Sequence, residues 1–205
     1  MLSNEQIEKN FETYINLIET NIKREGVESL VKWLKSKDTK VAPASAKYHC
    51  AYAGGLVEHI LNVYERLKKM VALEYPTDCP YNDESIAVVA LLHDISKVNY
   101  YDIVERNTKD ANGNWIKVPC YQAKEISNRL IFGSHSMNSV YMVNKFIKLN
   151  YQEELAILYH MGGFDKSEDT ISSKNISEAF TKSPLALLLH QADTQATYLD
   201  ENSNE

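Results

Sequence analysis

Apolar residues recur at helical spacing along most of this chain, and the breaks between those stripes mark where each helix begins and stops. Ser3 or Asn4 caps a first helix whose apolar positions are Ile7, Phe11, Tyr14, Ile15 and Ile18. Gly26 interrupts the period, and a short second helix carries Val27, Leu30, Val31 and Leu34. From Lys37 to Gly55 the pattern is irregular, with Pro43 and Gly54-Gly55 marking loop. A helix then runs from about Leu56 to Val71. Its stripe of Leu56, His59, Ile60, Val63 and Leu67 sets a histidine among apolar side chains. After Pro76 and Pro80, Asp83 begins a helix ending in His93-Asp94, on which Ile86, Val89, Ala90 and His93 share a face.

The helical period disappears between Tyr100 and Tyr121. Asn112-Gly113 separates two β-prone runs, Ile103 to Thr108 and Trp115 to Val118, which predicts a small hairpin flap. Ser134 caps a helix carrying Met142, Val143 and Phe146. Asn150 with Glu153 reads as a capping box for a helix that ends at His160, before Met161-Gly162-Gly163. Ser183-Pro184 starts the last helix, with Ala186, Leu189, His190 and Asp193 on one face. The polar tail from Asp200 to Glu205 is expected to fray. The expected class is mainly α with one small β-hairpin insertion, and no linker divides the chain.

Composition changes this picture little. A chain of 205 residues suits one domain with a substantial core. A net charge of −6 argues against an extended nucleic-acid surface, while leaving room for a local pocket that takes one phosphate. The cysteines Cys50, Cys79 and Cys120 are odd in number and lack a CxxC, which reads as reduced thiols inside a cell. No apolar run has membrane-span length and the N-terminus lacks signal-peptide character, so the expected location is the cytoplasm.

The chemistry concentrates at His93-Asp94, at the end of the apolar run from Ser85 to Leu92. A carboxylate in such surroundings is costly unless something compensates its charge. His59, His135, His160 and Asp193 occur in similar apolar settings. A single buried histidine is more often a hydrogen-bonded core residue than a ligand, but several at once are satisfied together by one shared cation. Mixed imidazole and carboxylate donors suit Mn, Fe, Co, Ni or Zn; Mg ordinarily takes more oxygen. No P-loop and no Ser-His-Asp or Cys-His arrangement competes.

The order His59, then His93-Asp94, then Asp193 resembles the HD-domain metal-dependent phosphohydrolase superfamily. Leu91-Leu-His-Asp-Ile-Ser-Lys97, Gly54-Gly-Leu-Val-Glu-His59 and Ala186-Leu-Leu-Leu-His-Gln-Ala-Asp193 carry the resemblance, with Ser96 where the family usually has glycine. It implies an HD-type helical bundle in which residues 1–205 form one domain. Helices at 1–36 would precede a core of about 48–199, with the hairpin flap at about 101–121. It implies that His59, His93, Asp94 and Asp193 bind a divalent metal. His135 and His160 fall where two-metal members carry further ligands, and where one-metal members contact phosphate. In a two-metal version Asp94 would bridge the ions.

The implied reaction is hydrolysis of a phosphate ester or anhydride of a nucleotide or similar small substrate, by water that the metal acidifies. Asp94 is then catalytic as well as a ligand, and Lys97 could neutralise a phosphate. His49, Tyr48 and Tyr101 are candidate pocket residues, with Tyr52, Tyr100 and Tyr121 nearby for stacking on a base. Arg106, Lys109, Lys117 and Lys124 on or beside the hairpin could close over a phosphate tail, although flap lysines are usually only solvated. His190 fits a core role or support of a ligand better than ligation. Two alternatives stay open: a phosphodiesterase or 3′–5′ exonuclease acting on RNA, single-stranded DNA or a cyclic nucleotide, and a metal-binding regulatory module without turnover. A homo-oligomer using exposed faces of the N-terminal helices is a further expectation.

Overall fold

In the computed structural model, residues 2–129, 133–164 and 173–201 are described. Phe132, three residues before the candidate His135, and the tail beyond Glu201 lie outside them. The helices are α1 (Asn4–Asn21), α2 (Val27–Lys35), α3 (Gly55–Glu74), α4 (Asp83–Leu92), α5 (His135–Val143), α6 (Tyr151–Tyr159), α7 (Ser173–Lys182) and α8 (Pro184–Gln195). A hairpin, β1 (Tyr101–Lys109) and β2 (Trp115–Ala123), is inserted between α4 and α5. No helix among the described residues is long and apolar enough to cross a membrane.

The start signals work as their chemistry requires. Ser3 and Gln6 form a reciprocal capping box on α1, and Asn150 and Glu153 do the same on α6. The Asn82 side chain caps α4 by accepting from the Ser85 amide at 2.7 Å, so the cap falls one residue before Asp83. Ser134 caps α5, which stops at Val143 and leaves Phe146 in the following turn. Besides short 3-10 turns, two elements among the described residues were not expected from the sequence. One is α7, and the other is a π-helical turn, Ala196–Asp200, that continues α8.

Helix α4 is the axis of the molecule. Every residue from Ser85 to Leu92 is buried, so this is not the one-sided helix that its stripe suggested. Packing by α1, α3 and α6 surrounds it, while α8 lies against α3, α6 and α7. A contiguous core results, with Tyr14 and Ile18 of α1, Leu56 and Ile60 of α3, and Leu185 and Leu189 of α8 joining the α4 residues. Arg24 ties the α1–α2 turn to this body through a double hydrogen bond to the buried Glu153, at 2.6 Å on each oxygen. The Ser85 hydroxyl donates to the same carboxylate at 2.7 Å.

The hairpin pairs antiparallel from Tyr101–Ala123 to Lys109–Trp115. Its loop is longer than an Asn-Gly two-residue turn: the Asp110 carboxylate accepts from the Asn112 and Asn114 amides at 2.8 and 2.9 Å, with Gly113 at φ 81°. The hairpin joins the body at its base. There Lys124 donates to Asn99 at 2.7 Å, and the Arg129 guanidinium lies 5.0 Å above the Tyr100 ring.

Candidate metal centre

Helix α4 delivers its last polar residues to the middle of the bundle. The final carbonyls of a helix lack partners within it, and here two of them are used. The Leu91 carbonyl accepts the buried Tyr14 hydroxyl at 3.0 Å, and the Ala90 carbonyl lies 2.8 Å from Nδ1 of His93. A carbonyl only accepts, so Nδ1 of His93 carries the proton and its Nε2 presents a lone pair. His160, at the end of α6, repeats the device, with Nδ1 donating to the Ile157 carbonyl at 2.7 Å. Two helix ends therefore fix two imidazoles in the tautomer a metal requires.

These groups meet around Asp94. Its Oδ2 lies 3.6 Å from Nε2 of His59 and 3.5 Å from Nε2 of His93. Its Oδ1 lies 3.6 Å from Nε2 of both His135 and His160. Each carboxylate oxygen thus faces a pair of imidazoles. Asp193 of α8 completes one side, with Oδ1 3.1 Å from Nε2 of His59. Lys97 reaches the Asp94 carboxylate from the following 3-10 turn, at 2.7 Å from Oδ2.

Charges are balanced tightly here. Burial pushes His93 down to about 3, with the neighbouring His160 and His59 rings adding to the effect, so it is neutral. Burial acts against ionised Asp94, but the Lys97 ammonium 2.7 Å from its Oδ2 outweighs it and holds the carboxyl well below its ordinary value. Burial also opposes charge on His59, yet Asp193 and Glu201 lift it to about 10. Asp193 is lowered, because the adjacent His59, with Nε2 3.1 Å from its Oδ1, overcomes its own burial.

The donors fit a divalent cation. Nε2 of His59, His93 and His160 and Oδ1 of Asp94 are all buried without a hydrogen-bond partner. Ligand atoms of His59, His93 and Asp193 lie within 4.8 Å of one another, as do those of His93, Asp94 and His160. Buried polar atoms left without hydrogen bonds are costly, and a shared positive ion that takes the place of the His59 proton removes that cost.

The remaining predicted residues divide. The His49 ring sits 4.8 Å from that of His59, beside the cluster, and burial lowers it to about 4. Tyr101 is half-buried at the hairpin base; burial raises its phenol, with Lys97 pulling it down and Asp94 pushing it up, so it faces that pair. Tyr100 and Tyr121 stand next to it, ring centroids 5.0 and 6.4 Å away. Tyr48 is 77% exposed, with the Lys47 ammonium over its ring. Lys117 pairs with Glu105 at 3.0 Å, and Lys109 covers the Trp115 ring. His190 donates to the His160 carbonyl at 2.7 Å and stacks on Phe180, which is the supporting role its position suggested.

Ser96, at the position where the resemblance expects glycine, is used structurally. Its hydroxyl donates to the His135 carbonyl at 2.8 Å, and its amide donates to Ser139 at 3.3 Å, joining the turn after Asp94 to the start of α5. Glu201 was expected in a frayed tail. Instead its side chain is buried, and Nδ1 of His59 donates to it at 3.0 Å. Nothing in the local sequence marks it, because its partner is 142 residues away.

The chain is similar to a dihydroneopterin 2′,3′-cyclic phosphate phosphodiesterase of Methanocaldococcus jannaschii, with 41% identity over 70 residues. That match takes in 34% of this chain and spans only 28% of the relative's length. No solved structure matches. The HD domain family matches residues 56–196, from the start of α3 through the end of α8 and so across the imidazoles, Lys97 and Asp193 gathered around Asp94. On that match, which covers well over half of its length, the chain belongs to the HD domain family.

Proposed function

We propose that this protein is a metal-dependent phosphohydrolase that cleaves a phosphodiester in a small nucleotide-like molecule. The observation that carries the reading is the Asp94 carboxylate, with each oxygen facing two imidazole Nε2 atoms. His59, His93, Asp94 and Asp193 would hold one divalent ion. His135 and His160 would hold a second across the bridging Asp94, or in a one-ion site would contact the phosphate. A bound divalent ion supplies Lewis acidity toward a phosphoryl oxygen and lowers the pKa of a water.

The chain's own groups supply the rest. Lys97 keeps Asp94 ionised and holds an ammonium beside the reacting phosphate. The buried walls of α3, α4 and α8 exclude bulk water. Tyr101, with Tyr100 and Tyr121, offers an aromatic wall at the rim on which a flat heterocycle can stack. The relative's activity on a cyclic phosphate of a pterin supports a diester with a bicyclic ring system over a nucleoside triphosphate. The net charge of −6 supports a small substrate over a long polyanion.

The test is a screen of metal-loaded protein against 2′,3′-cyclic nucleotides, linear dinucleotides, nucleoside mono- and triphosphates and single-stranded RNA. Cyclic diesters should turn over fastest. Turnover confined to RNA would move the assignment to an exonuclease, and metal uptake without any hydrolysis would support a regulatory module.

A further inference from the structure

The turn after α8 places two carboxylates against α3. Arg66 of α3 donates to Asp200 at 2.9 Å and to Gln195 at 3.2 Å, which pins the π-helical turn Ala196–Asp200. The next residue, Glu201, has a side chain 1% exposed. It accepts a hydrogen bond from Nδ1 of His59, at 3.0 and 3.2 Å to its two oxygens, and one from the Asn62 amide at 3.2 Å. His59 and Asn62 lie three residues apart on α3 and so share a face of that helix. Asp193, eight positions before Glu201, touches the opposite nitrogen of the same ring, at 3.1 Å. One short stretch of chain therefore grips both sides of one imidazole.

The π-helical turn Ala196–Asp200 leads directly into Glu201, whose side chain lies in the interior. Burying a carboxylate is expensive, and here the His59 ring nitrogen and the Asn62 amide compensate it. Such a carboxylate fixes the ring's tautomer and orientation and strengthens the opposite nitrogen as a donor.

We propose that Glu201 is a positioning residue for the metal centre, holding His59 with its Nε2 lone pair directed at Asp94 and Asp193. The proposal rests on the reading that His59 ligates the ion. The experiment is a Co(II) titration of metal-stripped wild type, Glu201→Gln and Glu201→Ala, followed by visible absorption, with circular dichroism as the check on folding. Wild type should bind Co(II). Glu201→Ala should weaken binding by about 10–100-fold and shift the visible bands, as expected for loss of a carboxylate behind a metal-bound histidine. Glu201→Gln retains an acceptor for Nδ1 and should lose less. If Glu201→Ala does not fold, the nearly isosteric Glu201→Gln decides. Folded variants that match wild type in affinity and spectrum would overturn the inference while leaving the metal centre intact. Failure of wild type itself to take up Co(II) would overturn the metal reading, and this inference with it.

Discussion

The interior at the end of α4 and the hairpin inserted beside it make opposite use of the same chain. Around Asp94, polar groups are buried and held from near and far: carbonyls one turn back on the same helix fix His93 and His160, while Glu201, 142 residues along the chain, accepts from His59. The hairpin is held by its own ladder, an Asp110-capped turn and a few contacts at its base, while Trp115 stays 72% exposed. A two-stranded hairpin has little independent stability in water. The interior gathers the candidate ligands from several helices, whereas the hairpin depends mainly on contacts within itself.

The sharpest way to break this contrast is at Asp94. Asp94→Asn should keep the fold and abolish hydrolysis, a loss well beyond the roughly 100-fold ceiling typical for partners that only support a ligand. Full turnover in the folded variant would remove the interior from the chemistry. Stability should then separate the two regions. Leu92→Ala, at a fully buried α4 position, should cost about 2–5 kcal/mol. Trp115→Ala should stay within about 0.5 kcal/mol. Urea denaturation measures both, and equal costs would mean that the hairpin is part of the core.

A further test concerns pH in metal-free protein. Between about 6.5 and 4 the unfolded chain takes up protons that folded His93 (about 3) and His49 (about 4) refuse, so stability falls as acid is added. His93 contributes at most about 1.4 kcal/mol per pH unit. His59 has the opposite sign. Its folded value is raised to about 10, so its contribution is complete below 6.5 and is lost as pH rises toward 10. Thermal melts should therefore peak near pH 6.5. A flat profile would show that the interior imidazoles are not held as the structure has them.

Much of this was legible in the sequence where a signal is local. The α3 stripe put His59 inward, the Asn150–Glu153 box opened α6, and Ser183-Pro184 opened α8. The burial of α4 on every side was not legible, since a stripe specifies one face and only α1, α3 and α6 together cover the rest. Helix α7 was missed because Ser173–Lys182 carries few apolar residues and no start signal that stands out. The tail was misread for a different reason: Asp200 and Glu201 look solvated until Arg66 and His59 are brought to them.

Sequence by itself determined which side chains could form a cation site and on which helices they sit, because helical periodicity and capping act over a few residues. Only the tertiary structure decided how the carboxylate of Asp94 is shared between imidazole pairs, and that a polar tail residue stands behind His59. Those arrangements depend on helices far apart in sequence packing side by side, and their energy comes from burying charges that no local pattern reveals.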